Sequence, residues 1–413
     1  MYEKHPLRRL VAIAAVAALA VVAVQATAGA SAGAKKPTGS VIKFGWVGTQ
    51  TSSTSTTAVK LQQQVLEAWA KWQNAHGGLL GHLVEIVSRD DKGDPAVAKQ
   101  VVQELVEVEK VVAIVGVSAT ATEGGFAQYV LDNKIPVVGG AEYTGNWFSN
   151  AMFYPVSTTV LSVLWGQAKA AADAGFKKVA QLLCNTSAAC TGAKPIFAGA
   201  VTSNGMEIVS DQTADPAQPN YTAECLSAKN AGATVFRASG INLPNVVRDC
   251  NRQQYDPVYL SSELQPTMQA LATDPNFAQF TAYGEVSAFP PFKEFPQTKT
   301  YWKAMRKYHP EYLPPNGKQF ANYGLGATQA RAGAEALKKA LENAGVTATT
   351  TVTSATVIQG LAKFAGETLG GIAPPLTFSD GTKPNPQNKC FFVTQVKKRK
   401  YSAPKGLTPV CQP

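Results

Sequence analysis

Apolar positions along the chain follow two periods in turn. Short β-rich runs, VIKFGWVG (41–48), LVEIVS (83–88), VVAIVG (111–116) and IPVVGG (135–140), read as buried strands. Between them the spacing is helical: from Ala58 the apolar residues fall at 58, 61, 65, 68, 69 and 72. Gly77-Gly78 ends that helix. Asp94-Pro95 opens the next, over 96–108, as an N-cap acid followed by proline at the first helical position. A third helix is expected over 123–132. The alternation resumes at Val179 with VAQLLC, a helix over roughly 192–203, MEIVSD, a helix around 221–231, TVFRAS, a helix around 242–254, and PVYLSS. A long amphipathic helix over 320–343 and a turn-rich segment with a strand, 376–396, come last. Such alternation predicts an α/β fold: parallel sheets wrapped by helices, the same Rossmann-like unit built twice.

One turn stands out. VGVSATATEGG (115–125) places Ser118, Thr120 and Thr122 between the third strand and its helix. Parallel strands direct their carboxyl ends toward ligands, at the point where the strand order reverses. Hydroxyls there donate to an anion, and helix N-terminal N–H groups favour negative charge. The rival reading is that they cap the helix. A phosphate loop is excluded because no lysine follows the glycines.

Length and composition narrow the classes. With 413 residues the chain has room for two cores, and a hydrophobic content of 45% is ordinary for a globular protein. The formal charge is +10, but the cations are scattered, so a nucleic-acid surface is not indicated. Their one dense run, Lys397, Lys398, Arg399 and Lys400, reads as a solvated hairpin or tail. Residues 1–34 read as a secretory leader: a basic start containing Arg8-Arg9, an apolar run from Leu10 to Val24, then TAGASAGA. Cleavage is expected after Ala32 or Ala34, and no neighbouring cysteine offers a lipid anchor. The G-x-S-x-G at Gly29–Gly33 lies in this region without a strand or helix around it, so it is not a nucleophile elbow.

The six cysteines, Cys184, Cys190, Cys225, Cys250, Cys390 and Cys411, all follow the leader, where disulfides are expected. Six cysteines allow fifteen pairings. The sequential set, 184–190, 225–250 and 390–411, is favoured, with Cys225 and Cys250 on helices flanking one strand. Zinc is the rival, but no C-x-x-C or paired histidine spacing supports it. Asp90, Asp91 and Asp94 lack calcium-loop spacing and suit a capped helix start better. His76, His82 and His309 stand beside no candidate nucleophile in sequence. The tryptophans have core-like spacing, with Trp147 the exception expected near a ligand.

The order of segments resembles the type I solute-binding proteins of ATP-driven transporters, above all the Leu/Ile/Val- and amide-binding branch. The matching pieces are VIKFGWVGTQT, NAHGGLLGHLVEIVSRDDKGDPAVA, AIVGVSATAT, IPVVGGAEYT and PLTFSDGTKPNPQNKCFFV, spanning nearly all of 41–396. The most specific is N-x-x-G-G, a glycine turn, a strand, then D-D-x-x-D-P. The resemblance implies two lobes joined by a three-segment hinge, one of 41–157 plus 286–375 and the other of 158–285 plus 376–413. Ligand binds between lobes that close on it.

The resemblance also implies contacts. Backbone N–H groups and hydroxyls of two first-lobe loops hold the ligand's carboxylate; here these are Ser118, Thr120 and Thr122, then Ala141, Glu142 and Tyr143. The family's amino-acid binders have a small hydroxyl where Tyr143 falls, so the acid and phenol here put α-amino acid binding in doubt. Glu263 aligns with the acid that pairs with a ligand ammonium. Ser239 and Cys190 fall where the family often has aromatics, and a 184–190 bridge would shape the rim. Gln50 and Thr51 lie in the first strand-to-helix loop, which faces the same cleft.

The expected function is an exported, periplasmic or cell-surface protein, a monomer without cofactor or catalysis, that delivers a small solute to a membrane permease. A sensor module feeding a receptor is the second reading, and a secreted amidase or esterase a third. Ligand identity stays open among amino acids, amides, aromatic or other carboxylates, and small polyols.

Overall fold

Two doubly wound sheets carry the chain. The computed structural model describes residues 36–51, 57–186, 188–261, 274, 279–286, 295–312 and 325–413. The leader reading over 1–34 lies outside them. Among the described residues no helix is long and apolar enough to cross a membrane.

The first sheet contains β1 (Gly39–Gly48), β2 (His82–Asp90), β3 (Ala113–Val117), β4 (Val137–Gly140) and β5 (Phe153–Tyr154), in the order β2-β1-β3-β4-β5, all parallel. Continuous apolar runs suit strands covered on both faces. On one face pack α2 (Pro95–Glu107), α3 (Gly124–Asp132) and the short α4 (Asn146–Ser149), through Val102, Leu105, Phe126 and Trp147. On the other packs α1 (Thr57–Ala75), through Leu61, Val65, Leu66 and Trp69. Each such side chain contributes roughly 1.5–3 kcal/mol on burial.

The second sheet repeats the plan. It contains β6 (Lys178–Cys184), β7 (Glu207–Ala214), β8 (Val235–Ser239), β9 (Val258–Leu260) and β10 (Ala282–Val286) in the order β7-β6-β8-β9-β10. α5 (Val160–Asp173) and α6 (Ala188–Ser203) cover one face, α7 (Thr222–Asn230) and α8 (Leu243–Arg252) the other. The expectation of one unit built twice is met. α6 starts earlier than its spacing suggests and carries Pro195 in its interior.

The chain then returns to the first core. α9 (Lys299–Tyr308), α10 (Leu325–Asn343) and α11 (Ser354–Leu361) lie with α1 against the first sheet. The two-stranded pair β11 (Ala365–Glu367) and β12 (Leu376–Thr377) follows, and Leu376 and Phe378 still pack in that core. Beyond it β13 (Cys390–Lys397) joins the second sheet antiparallel to β10 and turns into β14 (Lys400–Ser402). The basic run is thus a hairpin tip, with Lys398 and Arg399 both at positive φ, as a two-residue turn requires.

Cys225 of α7 is bonded to Cys250 of α8, and Cys390 of β13 to Cys411 of the short β15 (Val410–Cys411), as the sequential pairing anticipates. Cys184 is also disulfide-bonded. The side chain of Cys190, its expected partner, lies outside the described residues.

Candidate functional site

In the first sheet the strand order reverses between β1 and β3, so the loops leaving their carboxyl ends diverge around a crevice. The backbone stitches these loops together. Ser118 N donates to Val47 O at 2.9 Å, Thr49 N to Ser118 O at 3.1 Å, and Ala141 N to Val117 O at 2.8 Å. Gly140 makes the last contact possible. Its φ is +150°, and a Cβ there would lie 2.4 Å from Val117 O. Only glycine fits so close a backbone.

Behind the loops stand the carboxylates at the end of β2. Buried Asp91 accepts from Thr49 Oγ1 at 2.7 Å and Gly93 N at 2.8 Å on Oδ1, and from Thr122 Oγ1 at 2.5 Å on Oδ2. Asp90 Oδ1 accepts from Gln50 N at 2.8 Å and Lys92 N at 2.9 Å, and its Oδ2 accepts from Thr51 Oγ1. Burial opposes the charge on Asp90, but the bonds from Thr51, Lys92 and Gln50 outweigh it and hold the carboxyl below its ordinary range. Asp94 caps α2 through Ala96 N and Val97 N. The D-D-x-x-D-P stretch therefore braces loops and starts a helix. Among the described residues no group of acids, histidines or cysteines is arranged to hold a metal.

This bracing sorts the predicted hydroxyls. Thr120 is exposed and Ser118 half-buried, whereas Thr122 is buried with its hydroxyl on Asp91. Thr122 thus braces the turn from inside instead of facing a ligand. Gln50 is half-buried with its amide on Gln63, and Thr51 is exposed, tied to Asp90.

Glu142 also departs from its expected role. It is fully buried, and Oε1 accepts from Val156 N at 2.8 Å while Oε2 accepts from Ser157 N at 3.0 Å and Ser157 Oγ at 2.7 Å. Gln329 of α10 donates to the same Ser157 hydroxyl at 2.8 Å. The carboxyl anchors the segment that leaves the first sheet for the second. Burial pushes its pKa up to about 8, against the donors of Ser157, Val156 and Gly140. Ala141 and Tyr143 remain half-buried on the loop surface, Ala141 N being engaged by Val117.

Residues passed over in the sequence complete the picture. Buried Glu123 accepts from Trp147 Nε1 at 3.2 Å and Asn146 Nδ2 at 3.3 Å, tying the hydroxyl turn to α4. Burial lifts it to about 8, and the two donors only partly offset this. Trp147 is wholly buried, edge-on to Phe153 at 5.0 Å. It belongs to the core instead of the ligand surface, because its indole N–H finds Glu123 inside. In the second lobe the order reverses between β6 and β8, and half-buried Ser239 ends β8 beside Leu183. Arg237 lies buried two residues earlier, donating to Gln167 Oε1 at 3.0 Å and stacked 4.4 Å over the Phe197 ring. A cation inside TVFRAS was the signal for it. Glu263 and the side chain of Cys190 lie outside the described residues. His82 is buried between Ser40 O and Thr347 O, a structural role.

Two segments link the lobes within the described residues. The first, 155–159, meets the last: Asn385 Nδ2 donates to Phe153 O at 2.8 Å, Ser162 Oγ to Asn388 O at 3.3 Å, and Thr158 Oγ1 to Cys390 O.

Comparison with known proteins agrees with this architecture. The family model described as "Periplasmic binding protein" matches residues 41–401. Among solved structures, a branched-chain amino acid transporter protein from Thermus thermophilus with bound valine superposes with a TM-score of 0.69 at 18% identity, covering 90% of this chain and 97% of that one. A solute-binding protein from R. palustris in complex with benzoate gives 0.63 at 15% identity, covering 90% and 98%. The leucine-binding protein LivK from Thermotoga maritima gives 0.62 at 14%, covering 87% and 97%. None of the curated proteins matches the chain.

Proposed function

This chain belongs to the periplasmic binding protein family, and from that premise we propose that it captures a small polar solute between its two lobes and hands it to an ATP-driven permease. The observation that carries the reading is the braced crevice at the first sheet's reversal. Loops after β1, β3 and β4 are stitched side by side there, with Thr120 exposed on them. Loops braced from within, with the Thr120 hydroxyl exposed on them, suit a carboxylate or amide, because less ordering remains to be done on binding. Valine and benzoate, bound by the two relatives above, share a carboxylate.

We assign first-lobe contacts to Ser118, Thr120, Gln50, Thr51, Ala141 and Tyr143, and second-lobe contacts to Ser239 and Glu263, with Cys190 at the rim. Thr122 and Glu142 leave the ligand set because their polar atoms are spent on the protein. In the proposed lobe division the first lobe takes 41–157 with the return from 286; because Leu376 and Phe378 pack in the first core, we move the expected boundary at 375/376 to between Phe378 and Phe392, where β13 pairs with β10. Family membership implies an exported protein; cleavage near Ala32 or Ala34 without lipidation, and a monomeric state, belong to the proposal.

Thermal unfolding of the protein against amino acids, amides and simple carboxylates tests this. A ligand at a hundred times its Kd stabilises by about 2.7 kcal/mol. The expected result is a shift with a carboxylate-bearing solute that Thr120→Ala weakens. Glu263→Ala should weaken only amine-bearing solutes. No shift with any member of the panel overturns the proposed ligand class.

A further inference from the structure

A second concavity, of about 540 Å³, opens in the first lobe between α1, α9 and α10. It includes Leu79 and Leu80 in the turn that leads into β2, so it lies at the opposite end of the sheet from the crevice above. Its volume is within the range of small-molecule sites. One wall is flat and aromatic: Trp72 stacks on His76 with ring centroids 4.1 Å apart. Leu80 and Ile372 supply an apolar floor.

The polar wall comes from one face of α10. Arg331 is buried, and its Nη2 pairs with Glu335 Oε1 at 2.6 Å. Its Nε is also buried and meets no acceptor among the described residues. Lys338 lies one turn further along the same wall and has no acid partner among the described residues. Glu335 is neutralised by Arg331, so the wall keeps one net positive charge, on Lys338. An ammonium without an acid partner beside a flat apolar wall calls for one ligand chemistry.

We propose that this cavity binds a flat aromatic carboxylate. The carboxylate accepts from Lys338 Nζ, and the rings lie along Trp72. Charge-assisted bonds of this kind are the stronger polar contacts. The site is separate from the interlobe crevice and stands whether or not that crevice takes the solute class proposed above.

The test uses the whole protein labelled with 5-fluorotryptophan and read by fluorine NMR, Trp72→Phe identifying the Trp72 resonance. Addition of 2-naphthoate should move that resonance saturably. Lys338→Gln should weaken the effect about tenfold. Thr120→Ala, at the other end of the sheet, should leave it unchanged. 2-Naphthol, with the same rings and no carboxylate, should produce no saturable shift. An unmoved Trp72 resonance, an equal response in Lys338→Gln, or an equal response to 2-naphthol each overturns the proposal.

Discussion

The two lobes share a topology and differ in what holds them. The first carries buried carboxyls and the second carries the cysteines. Asp91, Glu123 and Glu142 are all buried behind the loops at the carboxyl end of the first sheet, each tying one loop to another element. Cys184, Cys225, Cys250, Cys390 and Cys411 are all bonded on or beside the second sheet. The one comparable acid among the described residues of the second lobe, Asp249, has Arg248 at 3.3 Å and Arg252 at 3.4 Å beside it. Among the described residues Glu123 and Glu142 have no such cation. The same fold is therefore expected to respond to proton concentration in one half and to thiol redox state in the other.

The largest expected effect breaks the covalent half. Replacing Cys225 and Cys250 together by serine should cost about 3 kcal/mol, since the bond closes a loop of 25 residues. Hydrogen exchange should accelerate across α7 and α8 while the first sheet keeps its protection. Next comes Asp91→Asn. Three donors converge on that carboxylate, and an amide turns one of its faces into a donor against them. The loss should be about 2 kcal/mol by urea unfolding, with β1 and α3 loop amides exchanging faster.

The third effect is a pH dependence. Glu142 and Glu123 hold their protons up to about 8 when folded, against 4.5 ordinarily. Between these values the folded state binds more protons than the unfolded one, so stability falls as pH rises. The contribution is complete below about 4.5 and gone above about 8. A Tm series should show that decline, and Glu142→Gln should flatten it. A Tm that rises through this window in the parent protein would count against both shifted carboxyls. The smallest effect is on binding: Thr120→Ala should weaken the solute by about 1 kcal/mol, read by calorimetry, with Tm unchanged in its absence.

The parts that were legible in sequence follow from periodicity. Strands such as 111–116 are covered on both faces and so read as unbroken apolar runs, while α1 repeats its apolar face at helical spacing. β5 is only two residues long, too short for any period to register. Glu142 and Thr122 were misplaced for another reason. A loop position has no periodicity to say which way its side chain turns, and an acid in a loop reads as exposed. Here Glu142 turns in because the backbone donors of 156–157 await it, partners 14 and 15 residues away in sequence. Trp147 was drawn toward the ligand by its place after the second loop, and only the buried Glu123 explains its inward turn. The Cys225–Cys250 pair was legible because α7 and α8 flank β8, which brings their residues together.

The braces behind the crevice bear on how such a protein diversifies. Asp90, Asp91 and Glu142 fix the loop backbones from within, so drift in those backbones is penalised by the fold before recognition is affected. Thr120, exposed on its turn, carries no such duty among the described residues. Under the proposed function a lineage could exchange Thr120 while inheriting an unaltered frame, and selection for a new solute would act first on that position.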